Sequence, residues 1–137
     1  MYIKNLYMYY KIKVSKLDNK NKPILTTYFT DALNFAEAAQ KVINIEGIDC
    51  EVEDISLMKN YKPAVNEVYS NFNKLYLVKI AEDVPQDNGT IKTLKYILPA
   101  FANNSDDLQK IMRDYISQGL ENMRLTTISE TRWIYIK

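Results

Sequence analysis

The residues best equipped for chemistry in this chain are cations and aromatic rings set along stretches of alternating polarity. Tyr9, Lys11 and Lys13 alternate with Tyr10, Ile12 and Val14, and in an extended strand the two sets point to opposite faces. Lys79, Lys92, Tyr96, Arg132, Trp133 and Tyr135 stand in later stretches of the same kind, the side of the last five depending on strand register. Cations neutralise phosphates and rings stack on unpaired bases, so these nine residues form a candidate binding surface for single-stranded nucleic acid. The same residues serve plainer ends as well. Lysines on strands prevent edge-to-edge aggregation, and an apolar-aromatic outer face can bury itself against a second copy of the chain or another protein.

Catalytic routes are narrower. The chain has no histidine, which removes the commonest general base, the Ser-His and Cys-His nucleophile pairs and the usual zinc ligand sets. Three glycines, at positions 47, 89 and 119, cannot build a Gly-rich phosphate loop. Carboxylates remain: Glu51 and Glu53 share a strand face, and Asp106 and Asp107 are adjacent. The aspartates fall in the first turn of an expected helix, where negative charge favours the dipole, and the glutamates read as a solvated face. The expectation is a non-enzymatic protein with no metal and no cofactor, with a carboxylate-dependent enzyme as the alternative.

Composition frames these readings. A chain of 137 residues, 47% hydrophobic and 26% charged, reads as a single folded domain burying roughly two thirds of its unfolded surface. Eighteen Lys and Arg against 17 Asp and Glu leave a formal charge of +1, so any attraction to nucleic acid must be local. The lone Cys50 reads as a small buried hydrophobe in a reducing compartment. No stretch resembles a secretory signal or a membrane span, so the expected place is the cytoplasm, with no membrane partner.

The elements that must position the candidate residues follow from periodicity. Tyr9 to Leu17 and Ile24 to Thr30 read as strands of a hairpin around the polar turn Asp18 to Pro23. Asn34 can cap a helix with Glu37 reaching back; Phe35, Ala38, Ala39, Val42 and Ile43 form its apolar stripe, and Gly47 stops it. Cys50 to Met58 reads as a strand with Val52 and Ile55 inward. Lys59 to Asn73 reads as a connector with a short strand near Val65 to Tyr69.

The plan then returns. Leu75 to Ala81 repeats the first strand, with Tyr76, Val78 and Ile80 in the places of Tyr10, Ile12 and Val14 and Lys79 in that of Lys13. Asn88-Gly89 signals a type I′ hairpin to a strand over Ile91 to Leu98. Asn104 and Asp107 cap a second helix with the stripe Leu108, Ile111, Met112 and Tyr115, closed by Gly119, and Gln109-Lys110 echoes Gln40-Lys41. Met123 to Ile136 reads as one long strand, its Ile128-Ser129 answering Ile55-Ser56.

The segments Tyr28 to Ala38, Glu53 to Ser56 and Thr127 to Thr131 resemble those of an uncharacterised family of small duplicated proteins from Bacteroidetes and their crAss-like phages, catalogued as a domain of unknown function. The resemblance spans about Tyr9 to Ile136 and leaves an N-terminal extension over residues 1–8 outside it. It implies a bacterial or phage-infected host and carries no functional residue.

The expected architecture is α+β: two pseudo-symmetric β-β-α-β repeats, over residues 9–62 and 74–136, forming a mostly antiparallel sheet with two helices packed on one face. The expected function is a small single-stranded nucleic-acid-binding or replication accessory protein. The alternative is a homo-oligomeric or partner-binding module.

Overall fold

The computed structural model describes residues 8–118 and 122–137. The chain is α+β and mostly antiparallel, with β1 (Met8–Leu17), β2 (Pro23–Ala32), α1 (Phe35–Glu46), β3 (Glu51–Met58), β4 (Lys74–Pro85), β5 (Ile91–Ala102), α2 (Ser105–Ile116), β6 (Met123–Glu130) and β7 (Ile134–Ile136). The strands divide between two sheets. One is four-stranded, ordered β3-β1-β2-β7, and the other three-stranded, ordered β5-β4-β6. Each belongs to its own compact unit. Unit 1 runs through Lys59 and takes up Trp133–Lys137, and unit 2 is Asn60–Arg132.

Unit 1 grows from the alternation of its first strand. Tyr10, Ile12 and Val14 are buried with Tyr28, Ala32, Ala38 and Val42, and Ile136 of β7 closes the same core. Asn34 caps α1, its Oδ1 accepting the Glu37 N–H at 2.8 Å. Gly47 ends the helix with φ at +99°, a conformation that a Cβ disfavours, and its N–H reaches the Ile43 carbonyl at 2.8 Å. Val52 and Ile55 do both face the core, and a bulge in β3 makes that possible. Val14 pairs with Val52 and Lys13 with Asp54, so Glu53 is the extra residue.

Unit 2 builds the same order of elements. Tyr76, Val78 and Ile80 pack with Tyr96, Leu98, Ala100, Leu108 and Met112. Asn104 caps α2 through the Asp107 N–H at 2.8 Å. In both helices the residue before the cap, Leu33 or Asn103, donates its N–H to the carboxylate of the third helical residue, Glu37 or Asp107. Measured from the caps, Ala38 and Val42 correspond to Leu108 and Met112 as the buried pairs. Gln109-Lys110 therefore sits one residue out of step with Gln40-Lys41, and that echo is not a structural equivalence. The helix ends at Ile116 with the Ser117 N–H on the Arg113 carbonyl at 3.0 Å. The expected stop at Gly119 lies outside the described residues, as does most of the expected N-terminal extension.

Two connections differ from expectation. Met123 to Ile136 is not one strand: β6 ends at Glu130 in the second sheet, and β7 joins the first, parallel to β2 through Tyr28–Ile134, Phe29–Tyr135 and Thr30–Ile136. The buried Thr30 hydroxyl donates to the Ile136 carbonyl at 3.0 Å, which ties the β7 backbone to a polar group inside the core. Val65 to Tyr69 forms no strand either. The connector runs along the edge of β5 instead, with Lys62 N–H on the Ile97 carbonyl (2.9 Å), Ile97 N–H on the Asn60 carbonyl (2.9 Å) and Val65 N–H on the Pro99 carbonyl (2.8 Å). The Asn66 side chain then stands in for a strand backbone, donating to the Phe101 carbonyl at 2.7 Å and accepting the Phe101 N–H at 2.9 Å.

Candidate functional site

The outer face of the unit 1 sheet, away from α1, brings together five of the nine candidate residues. Tyr9, Lys11 and Lys13 alternate with the buried core of β1, opposite Asp31, Phe29 and Thr27 of β2. Trp133 and Tyr135 arrive from the chain's far end. The rings converge on Phe29: Tyr9 stacks on it at 4.9 Å between centroids, Trp133 lies at 5.8 Å and Tyr135 at 6.4 Å. Phe29 is fully buried. The Lys11 ammonium sits 5.2 Å from the Trp133 ring centroid, within cation–π range, and the Tyr135 hydroxyl donates to the Asp31 carboxylate at 3.3 Å. These rings pack on one another as a small second core on the sheet's outer side.

The electrostatics of this face are mixed. Lys13 lies opposite Asp54 across the β1–β3 ladder, with Glu53 at the bulge and Asp31 opposite Tyr9. Towards the hairpin end the face opens into an apolar groove of about 580 Å³ lined by Lys13, Ser15, Pro23, Leu25, Thr27 and Glu53. It holds one cation and one anion.

The outer face of unit 2 is different. Lys79 stands between Ile97 and Thr127, and one step along β4 the small, buried Ala81 lies between Lys95 and Arg124. The row Lys95–Ala81–Arg124 crosses all three strands, so its ends are about 10 Å apart at two strand spacings. Lys79, Lys95 and Arg124 are all exposed. An acid joins them: Asp83 is ion-paired to Arg124 and accepts the Thr93 hydroxyl at 2.9 Å. The Arg124 and Thr93 hydrogen bonds hold its carboxyl below the usual carboxylate range.

The remaining candidates lie elsewhere. Tyr96 belongs to the core beneath α2, its hydroxyl 3.5 Å from Glu82 and its ring 5.6 Å from the Lys62 ammonium. Burial, then the Glu82 charge, pushes its phenol up to about 12. Lys92 shares its side of β5, across from Val84. Arg132 is exposed in the segment between β6 and β7.

Sequence reasoning missed Lys95 and Arg124. Lys95 was within reach, because the Asn88-Gly89 hairpin sets it opposite Ala81. Arg124 was not, because β6 carries a bulge: Lys79 pairs with Thr127 but Ile80 with Leu125, and the extra residue Thr126 donates its hydroxyl to the Lys79 carbonyl at 3.1 Å. The slip turns Arg124 from the helix side to the outer side.

The carboxylates considered for catalysis divide between the two units, Glu51 and Glu53 in the first and Asp106 and Asp107 in the second. The Asp107 carboxylate accepts the Asn103 N–H and the Tyr69 hydroxyl, and Glu53 lines the groove with Lys13. Among the described residues no three His, Cys, Asp or Glu side chains are placed to hold a metal ion. Among the same residues, no helix is long and apolar enough to cross a membrane. No protein-family model matches the chain, and no curated protein matches it.

Proposed function

We propose that the protein is a non-enzymatic binder of single-stranded nucleic acid that holds the phosphate backbone on the outer face of unit 2. The observation that carries this reading is the cationic row: Lys95 and Arg124 flank Ala81, Lys79 stands one step along, and Asp83 offsets part of the charge through Arg124. A flexible single strand can lie along such a sheet face with its phosphates over the cations. Three cations on such a face attract phosphates without reading bases, so binding is sequence-independent and salt-dependent. The aromatic cluster of unit 1 adds nothing to this reading, because its rings stack on one another. The resemblance to the Bacteroidetes and phage family supports a place in the cytoplasm of a bacterium or an infected host.

The test is fluorescence anisotropy with labelled single-stranded oligonucleotides at several salt concentrations. Binding is expected at low salt, with a log–log salt slope that falls by about 0.7 for each of Lys79→Ala and Lys95→Ala. Absence of binding up to roughly 100 µM, or binding whose slope these substitutions leave unchanged, overturns the reading.

A further inference from the structure

The groove at the hairpin end of unit 1 shares no residue with the cationic row of unit 2, and its role is independent of nucleic-acid binding. Leu25, 73% exposed although it lies in a strand, and Pro23 form one wall. Pro23 and Leu25 are next but one along β2 and share a face, so they form a small apolar patch that a partner can cover.

Its charges are arranged by strand. Lys11 and Lys13 lie on β1, while β3 alongside presents Glu51, Glu53 and Asp54, with Asp54 opposite Lys13 and Glu51 opposite Ser15. The face thus runs from an acidic strand through a basic strand to an apolar one. A surface that carries both signs side by side is complementary to itself. Turned over about a two-fold axis, the acidic strand of one copy meets the basic strand of the other, and the same contact recurs on the far side of the axis.

We infer that this outer face of unit 1 is a self-association surface, on which Lys13 of each protomer is set against Glu53 and Asp54 of a second copy, while Leu25 and Pro23, one strand further out, pack on the partner's β3 edge. Such a pairing removes exposed apolar surface from water and places each charge beside its opposite, as two-fold interfaces do.

The test is molar mass by light scattering across a concentration series at low salt, with circular dichroism to confirm that each variant is folded. The wild-type chain is expected to reach dimer mass. Lys13→Glu, and separately the double variant Glu53→Lys with Asp54→Lys, are expected to be monomers, because each sets like charges against one another. Mixed together, these two variants are complementary on both sides of the axis, and a heterodimer is expected. A wild-type monomer at every concentration overturns the inference and leaves the groove to a foreign polypeptide. A dimer that both folded variants retain, or two variants that stay monomeric when mixed, overturns it as well.

Discussion

Lys13 and Lys79 hold the same place in two sheets and meet opposite company. Each stands on the central strand immediately before the register shift of a bulge, and each points to the outer face. Across the ladder Lys13 meets Asp54, whereas Lys79 meets Thr127. An acid directly opposite offsets the first lysine and a neutral hydroxyl faces the second, one of the differences that leave the outer face of unit 2 the more cationic of the two.

That difference can be transferred. Thr127→Asp gives Lys79 the neighbour that Lys13 has, and an added cross-strand charge of this kind is worth up to about 1 kcal/mol. Oligonucleotide affinity at low salt is expected to fall up to about fivefold, and the loss should shrink as salt is raised. Anisotropy titrations of the variant beside the wild type check it; equal affinities would count against the proposed role of Lys79.

Phe29 anchors the outer aromatic cluster of unit 1 and is fully buried between Tyr9 and Trp133. Replacing it by Ala is expected to cost about 3–5 kcal/mol in urea-unfolding free energy. Phe35 is half exposed and touches Tyr10 edge-on, so Phe35→Ala should cost clearly less.

Asn66 replaces two backbone partners for Phe101 with one side chain. Asn66→Ala removes these two bonds to a buried residue and is expected to destabilise the protein by about 1–3 kcal/mol. Hydrogen exchange gives the local readout: the Phe101 amide should lose protection ahead of its neighbours in β5.

Tyr96 supplies a pH dependence with a definite sign. Its phenol titrates near 12 when folded, above the ordinary tyrosine value of 10.0, because burial and Glu82 disfavour the phenolate. The neutral form is the one the fold prefers, so its contribution is complete below about pH 10 and is lost as pH rises towards about 12. Tyr28 is raised in the same direction by burial and by its hydrogen bond to Glu46. Urea midpoints measured across this alkaline range should decline, and the decline should be shallower in Tyr96→Phe.

What the sequence revealed and what it concealed divide along contact range. Alternation in β1 and β4, the polar turn and the two Asn caps are local signals, and each stands where its residues placed it; the Asn-Gly hairpin forms where expected but not as type I′, because Gly89 alone takes a positive φ and its N–H closes the turn on the Gln86 carbonyl at 3.1 Å. Bulges are harder to read. The slip at Thr126 reverses which side Arg124 takes, and no composition rule marks Thr126 as the extra residue. Long-range pairing is harder still. Ile134 to Ile136 reads as the tail of β6, yet its partners are Tyr28, Phe29 and Thr30 near the other end of the chain. For the same reason Phe29 could not be foreseen as buried, since Trp133 and Tyr135 reach it only through that pairing.

The placement of β7 sets an order of birth. Residues 133–137 complete the sheet of unit 1, but the ribosome reaches them only after all of Asn60–Arg132 has been made. Unit 2 can therefore close on itself while unit 1 still waits, with the β2 edge unpaired until Ile134–Ile136 emerge. A nascent chain halted after Arg132 would carry a finished second unit and an unsealed first one, making the codons for residues 133–137 a checkpoint for the unit that was translated first.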